Sequence, residues 1–184
     1  MDVIIRELMA EDKDNWRDLD DSFTVDSTLV LSLTGRQVEF TVKKIPSYTK
    51  SYSQDQLNEE ADRDNSDYIH NPDRIVYLAL VENHVAGRIL LNRNWNKYAY
   101  VEDITVDKKF RGLGLGRKLM DKAVRWAQEG DMPGIMLETQ SNNVSACQFY
   151  SSCGFTIGGF DHHLYQGIHK NSDEIAIFWY LIFE

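Results

Sequence analysis

The chain has little with which to make a secreted, metal-binding or membrane-spanning protein. Its 184 residues include only two cysteines and three prolines, and no apolar run is long enough to cross a bilayer. The opening MDVIIRELMAEDKD is charged throughout, so no secretory leader is expected and the chain reads as cytoplasmic. In that compartment Cys147 and Cys153 read as reduced, packed thiols, not a disulfide or a metal pair. The five histidines are scattered. The one adjacent pair, His162–His163, has no ligand spacing to a carboxylate or thiol, so no metal is expected. Positive charge is also short: 20 Lys and Arg face 29 Asp and Glu, and a net charge of −9 argues against a nucleic-acid partner. What remains is a single domain over residues 1–184 with a sizeable core and no membrane partner.

The negative charge is unevenly spread. Residues 11–21 carry Glu11, Asp12, Asp14, Asp18, Asp20 and Asp21 against Lys13 and Arg17. Residues 55–67 carry Asp55, Glu59, Glu60, Asp62, Asp64 and Asp67 against Arg63. Each run reads either as a solvated surface or as a region that attracts a cation.

Patterning predicts a first strand over 1–7 and a short helix over 11–19. Strands over 29–33 and 37–43 flank a turn at Thr34-Gly35, followed by a loop from Ile45-Pro46 to residue 53 and a polar helix over 54–62. Residues 74–81 and 85–91 form an apolar hairpin through Glu82-Asn83-His84, and 92–96 turn the chain into a strand over 98–106. Pro133-Gly134 precedes a strand over 135–139, and Asn142 or Asn143 caps a helix running to Ser152 and ended by Gly154. Strands over 155–160 and 175–183 complete the order β, α, a β-meander, then β-α-β-α-β-β: an α/β sandwich with a mixed sheet. The apolar last strand could pair across a homodimer.

The densest chemistry lies in residues 98–127, YAYVEDITVDKKFRGLGLGRKLMDKAVRWA. The first part is rich in β-branched and aromatic residues and apolar on both faces, which suits a central strand. From Gly112 the period changes, and Leu115, Leu119, Ala123 and Ala127 fall on one helical face. Between strand and helix stand Gly112, Gly114 and Gly116 among Lys108, Lys109, Arg111, Arg117 and Lys118. A basic, glycine-rich helix start exposes backbone N–H groups with no Cβ in the way, and the helix dipole favours an anion there. The turn should hold phosphate.

It is not a P-loop, whose spacing and hydroxyl are missing, nor the dinucleotide pattern, whose third glycine would be Arg117. Arg111-Gly112-Leu113-Gly114-Leu115-Gly116 resembles the pyrophosphate loop of the GNAT N-acetyltransferase superfamily. A second motif, N-x-x-A-x-x-F-Y-x-x-x-G-F, follows in register on Asn143, Ala146, Phe149, Tyr150, Gly154 and Phe155. Within the superfamily, the strings at 92–104 (NRNWNKYAYVEDI), 137–143 (LETQSNN) and 177–181 (IFWYL) look like the streptothricin acetyltransferases.

The resemblance implies a mixed, mostly antiparallel sheet with splayed central strands flanked by helices, and acetyl-CoA as cosubstrate. It implies a cationic small-molecule amine, streptothricin, as acceptor. Another polyamine, an aminoglycoside or a protein amine, or a non-catalytic acyl-CoA sensor, stand as alternatives. It also implies that backbone groups of Ile104, Thr105 and Val106 bind the pantetheine, and that the N–H groups from Arg111 to Arg117 cradle the pyrophosphate. Asn143 would bond the pantetheine amide, with Ala146 and Phe155 of the same motif beside the cofactor, and Tyr150 would protonate the departing thiolate. A lysine-like amine is mostly ammonium at neutral pH, and removing its proton costs roughly 4.6 kcal/mol. A carboxylate that relays the proton lowers that barrier. Strict alternation puts Tyr98, Tyr100, Glu102, Ile104 and Val106 on one face of the strand and Val101, Asp103 and Thr105 on the other. The resemblance implies that the acceptor lies beside the first set, which makes Glu102 the candidate base and Asp103 the runner-up.

Overall fold

The computed structural model describes residues 2–12, 16–52 and 65–184. The helices expected over 11–19 and 54–62 fall partly or wholly outside these, as do Glu59, Glu60, Asp62 and Asp64 of the second acidic run. In chain order the regular elements are β1 (Val3–Glu7), β2 (Phe23–Thr34), β3 (Gln37–Lys50), β4 (Arg74–Val81), β5 (His84–Arg93), β6 (Ala99–Val106), α1 (Leu115–Glu129), β7 (Gly134–Gln140), α2 (Val144–Ser152), β8 (Thr156–Asp161) and β9 (Ala176–Ile182). The fold is α+β, a mixed and mostly antiparallel sheet with helices. The chain divides into two compact units, Met1–Phe23 with Ser51–Ile135, and Thr24–Lys50 with Met136–Glu184.

In the first unit the strands lie in the order β1-β4-β5-β6, each neighbouring pair antiparallel. β4 and β5 are almost continuously apolar because both their faces are buried. Their hairpin closes at Glu82 and Asn83, both with positive φ (49° and 65°), the left-handed pair whose twist matches the flanking strands. α1 buries Leu115, Leu119, Met120, Ala123 and Ala127, the stripe expected from the spacing. It packs close to β5: a Cβ on Gly87 would lie 3.4 Å from the Leu119 methyl and 3.0 Å from the Thr105 carbonyl oxygen. The alternate residues Val76, Leu78 and Leu90 form a second cluster with Leu8, Trp16 and Tyr68.

In the second unit β2 and β3 form a separate two-stranded sheet, joined by a turn in which Gly35 takes φ +64°. β3 is longer than expected. The loop assigned from Ile45-Pro46 onward is strand as far as Lys50. A two-stranded sheet leaves each strand one unpartnered edge, which is where a residue lacking an N–H is tolerated. β7, β9 and β8 are neighbours in that order, with β8 and β9 antiparallel. β9 is therefore flanked on both sides and offers no open edge to a second copy, contrary to the expectation for the 175–183 strand. Asn143, not Asn142, caps α2 by accepting from the Ala146 N–H at 3.2 Å, and Gly154 follows the helix at φ +91°.

Candidate active site

The phosphate turn is assembled from strand end, 3-10 turn and helix start. Asp107, just after β6, caps the turn Lys108–Phe110 by accepting from the Lys109 N–H at 3.0 Å. Gly112 and Gly114 then adopt φ +79° and +76°, and Gly114 is the N-cap of α1. Glycine has no side chain to cap a helix, and none is supplied. The first-turn N–H groups of α1 have no acceptor within the helix either. A Cβ built on Gly112 or Gly114 would meet nothing within 4 Å. Left-handed glycines, open space above them and an uncapped helix start, ringed by exposed Lys108, Lys109, Arg117 and Lys118, fit the pyrophosphate of acetyl-CoA. Leu115 is buried and Leu113 exposed, and Gly116 lies in the first turn of α1.

The Arg111 side chain does a different job. Its guanidinium donates to the Val106 carbonyl (3.0 Å), to Ser22 (2.7 Å) and to Asp20 (3.3 Å), stapling the turn to the end of β6 and to residues 20–22. The first acidic run serves the same unit. Asp12 takes a two-pronged contact from Arg6, at 2.7 Å on each oxygen, which holds its carboxyl below the ordinary value. Asp21 accepts from the Ser51 hydroxyl (2.5 Å) and the Tyr52 N–H (2.9 Å). These carboxylates are structural anchors more than an electrostatic lure.

β6 departs from strict alternation. Asp103 pairs with Leu90 of β5 but Val101 pairs with Leu91, so Glu102 is the extra residue of a β-bulge. Paired residues share a face. Val101, Ile104 and Val106 therefore lie with Leu91, Ile89 and Gly87, while Tyr100, Asp103 and Thr105 lie with Asn92, Leu90 and Arg88. The expected grouping of Tyr100 with Ile104 and Val106, and of Val101 with Asp103 and Thr105, is thus corrected, because one inserted residue shifts everything beyond it. Asp103 is held in place: Arg88 Nε donates to it at 2.7 Å and the Thr105 hydroxyl at 3.0 and 3.2 Å. The Arg88 side chain is only 7% exposed, and its Nη1 reaches the Trp16 and Arg17 carbonyls at 3.4 and 3.3 Å. Asp103→Asn should therefore act on stability. Removing the charge of Asp103 from beside that buried guanidinium costs about 3 kcal/mol, the low end for breaking a buried pair. The melting temperature should fall by roughly 6–12 °C in a chain of this size. A variant melting like the wild type would remove the ion pair from the account of this strand.

In the second unit α2 carries Asn143, Ala146 and Tyr150. The Asn143 oxygen is occupied by the Ala146 N–H. Tyr150 is buried, its ring 5.4 Å from Phe149, 5.9 Å from Phe155 and 6.3 Å from Trp179. Phe155 is itself buried and serves as a support for the Tyr150 ring. Cys147 packs with its thiol 3.4 Å from the Thr139 hydroxyl, and burial pushes that thiol up to about 11, so it is inert at neutral pH as expected.

One group of polar residues escaped the sequence reading. Glu138 of β7 accepts from the Tyr165 hydroxyl, and burial raises its carboxyl above the ordinary value against the effect of that hydrogen bond. Near it Lys50, from the end of β3, contacts Glu174 at 2.5 Å and donates to Gln140. The local signal was Glu138 itself, directly after the apolar Ile135-Met136-Leu137 of the strand GIMLETQ.

A glycine turn ready for pyrophosphate, followed by a strand and a helix bearing a buried tyrosine, defines an acetyl-CoA-dependent N-acetyltransferase. Residues 42–155 match the family model for GNAT acetyltransferases. The streptothricin acetyltransferase A of Bacillus subtilis (strain 168) is 41% identical over 136 residues, 74% of each chain. A streptothricin acetyltransferase of Escherichia coli is 34% identical over 163 residues, 89% of this chain and 87% of that one. A crystal structure of a chain assigned as a streptothricin acetyltransferase from Bacillus anthracis str. Ames, in complex with acetyl coenzyme A, superposes with a TM-score of 0.90. It is 52% identical and covers 99% of this chain and 100% of that one. The chain belongs to the GNAT acetyltransferase family. No helix among the described residues is long and apolar enough to cross a membrane.

Proposed function

We propose that the enzyme acetylates an amine of streptothricin, on its β-lysine moiety, by direct transfer from acetyl-CoA in a ternary complex. The observation that carries this is the uncapped Gly112–Gly114 turn at the start of α1, in a chain whose relatives over most of its length are streptothricin acetyltransferases. The N–H groups from Arg111 to Arg117 hold the pyrophosphate, and backbone groups of Ile104, Thr105 and Val106 bind the pantetheine. Asn143 bonds the pantetheine amide. The amine attacks the thioester carbonyl, a carboxylate takes its proton, and the Tyr150 hydroxyl protonates the coenzyme A thiolate as the C–S bond breaks.

Glu102 is the proposed base, since a β-bulge re-aims the side chain it carries. Glu138 is a second reading, favoured by its raised carboxyl pKa, because a base works best near the operating pH. The pH profiles of kcat/KM in Glu102→Gln and Glu138→Gln separate the two. A base must be deprotonated, so activity falls as pH drops through its pKa, and for Glu138 that limb would lie above the ordinary carboxylate range. The variant that removes the base should lose about 10²-fold and the acid limb with it, whereas the other should keep the limb.

Mixing the protein with acetyl-CoA, a thiol reagent and a panel of amines tests the function itself. Streptothricin-dependent thiol release supports the reading. Release with another polyamine, an aminoglycoside or a peptide amine, but not with streptothricin, would reassign the acceptor. No release with any amine, together with tight CoA binding, would make the protein a sensor.

A further inference from the structure

We propose that the protein forms a homodimer in which β3 of each copy pairs antiparallel with β3 of the other, joining two β2–β3 hairpins into one four-stranded sheet. This goes beyond the acetyl-transfer reading and does not depend on which amine is the acceptor.

β3 is a long strand with little beside it. It runs for 14 residues, none of them buried. Its one strand neighbour is β2, and among the described residues no main-chain hydrogen bond leaves it for any other part of the chain. One edge of β3 therefore presents a row of open N–H and C=O groups, and a two-stranded sheet by itself is marginal in water. The side chains tell the same story. β2 buries Val25, Leu29 and Leu31 on one face. Phe40 and Val42 of β3 line the same apolar gap as Leu29, against Val144 and Cys147 of α2. They nevertheless stay 48% and 50% exposed. Open main chain and half-covered apolar side chains coincide on one strand, which is the surface a further strand would cover.

The sequence of β3 selects a second copy as that strand. A twofold axis makes the pair i–j equivalent to j–i. Adjacent pairs of an antiparallel ladder alternate between two types, so in a symmetric dimer one residue must face itself. The turn at Gly35-Arg36 bounds the free window on one side, and Pro46, with no N–H to give, bounds it on the other. The window is thus 37–45, and its midpoint is Thr41. About Thr41, Glu39 falls opposite Lys43 of the partner subunit, twice by symmetry, and Phe40 opposite Val42 of the partner subunit. Centring on Phe40 would set Glu39 against the partner's Thr41, and centring on Val42 would set it against the partner's Ile45. The register chosen by the limits of the window is the one that matches unlike charges and apolar side chains across the axis.

The test is sedimentation velocity over a concentration series on the wild type, Glu39→Lys, Lys43→Glu and the double variant, with thermal melts to confirm folding. The wild type should be a dimer that dissociates on dilution. Each single reversal sets like charges opposite one another at both symmetric positions and should weaken the dimer by roughly tenfold or more. The double variant should restore it. An equimolar mixture of the two single variants should form a heterodimer, because every lysine at these positions then meets a glutamate. In the wild type, hydrogen exchange of the amides in 37–45 should slow at concentrations where the dimer forms. A wild type that stays monomeric at its highest soluble concentration overturns the proposal. A dimer that neither reversal weakens overturns it too, since its interface then lies elsewhere. If a reversal does not fold, the exchange measurement decides, and exchange in 37–45 that ignores concentration overturns the proposal.

Discussion

Tyr150→Phe should lower kcat by about 10²-fold or more while leaving the affinity for acetyl-CoA nearly unchanged. The substitution removes one oxygen and keeps the ring. The ring is what the structure uses for packing: it meets Phe149, Phe155 and Trp179 at 5.4, 5.9 and 6.3 Å, and phenylalanine can keep all three contacts. A large loss of rate with a near-native melting temperature would therefore belong to the hydroxyl. Coenzyme A leaves as a thiolate, and a proton delivered as the C–S bond breaks neutralises the charge that develops on sulfur. An interaction made only as the C–S bond breaks lowers kcat and kcat/KM together. A wild-type turnover number in Tyr150→Phe would reduce this residue to a support within the aromatic cluster.

Gly114→Val should abolish most of the affinity for CoA at a modest expense in stability. The two effects have different origins. With φ at +76°, Gly114 sits where a β-branched residue is strained by roughly 1–2 kcal/mol, a shift of roughly 2–8 °C in melting temperature. Inside the protein a Cβ at this position has nothing within 4 Å. The isopropyl group stands instead where the pyrophosphate would approach the uncapped start of α1. Blocking or tilting those N–H groups removes the charge-assisted hydrogen bonds on which the anion depends. Calorimetric titration of CoA into the folded variant should show at least a tenfold weaker Kd. An unchanged Kd in a folded variant would move the cofactor to another part of the chain.

Much of this architecture was legible residue by residue. The stripe of Leu115, Leu119, Ala123 and Ala127 specified α1, because a period of three to four residues leaves a chain one face to bury. Glu82-Asn83 between two apolar runs specified the β4–β5 hairpin, and Asn143 with Gly154 bracketed α2. β3 was cut short at Pro46 because proline argues against a strand unless the pairing around it is known. Dimer pairing through the last strand failed for a similar reason: β9 is apolar because it has a neighbour on each side, not because it awaits one.

The sequence alone determined the family, the glycine turn ahead of α1 and the helix that follows it. All of these are local, since a turn needs its glycines, a helix its period and a motif its spacing. Tertiary structure decided what those residues face and what each is bonded to. A single bulge at Glu102 reassigned the faces of β6, and no local pattern announces a bulge because it depends on the register with β5. The Arg88–Asp103 pair took the runner-up base into an ion pair across two strands. Lys50, Glu138 with Asn142, Tyr165 and Glu174 come from four separate stretches of the chain, and only the folded second unit brings them within reach of one another. Electrostatic energy depends on distance and on the dielectric around the charges, and a list of residues contains neither.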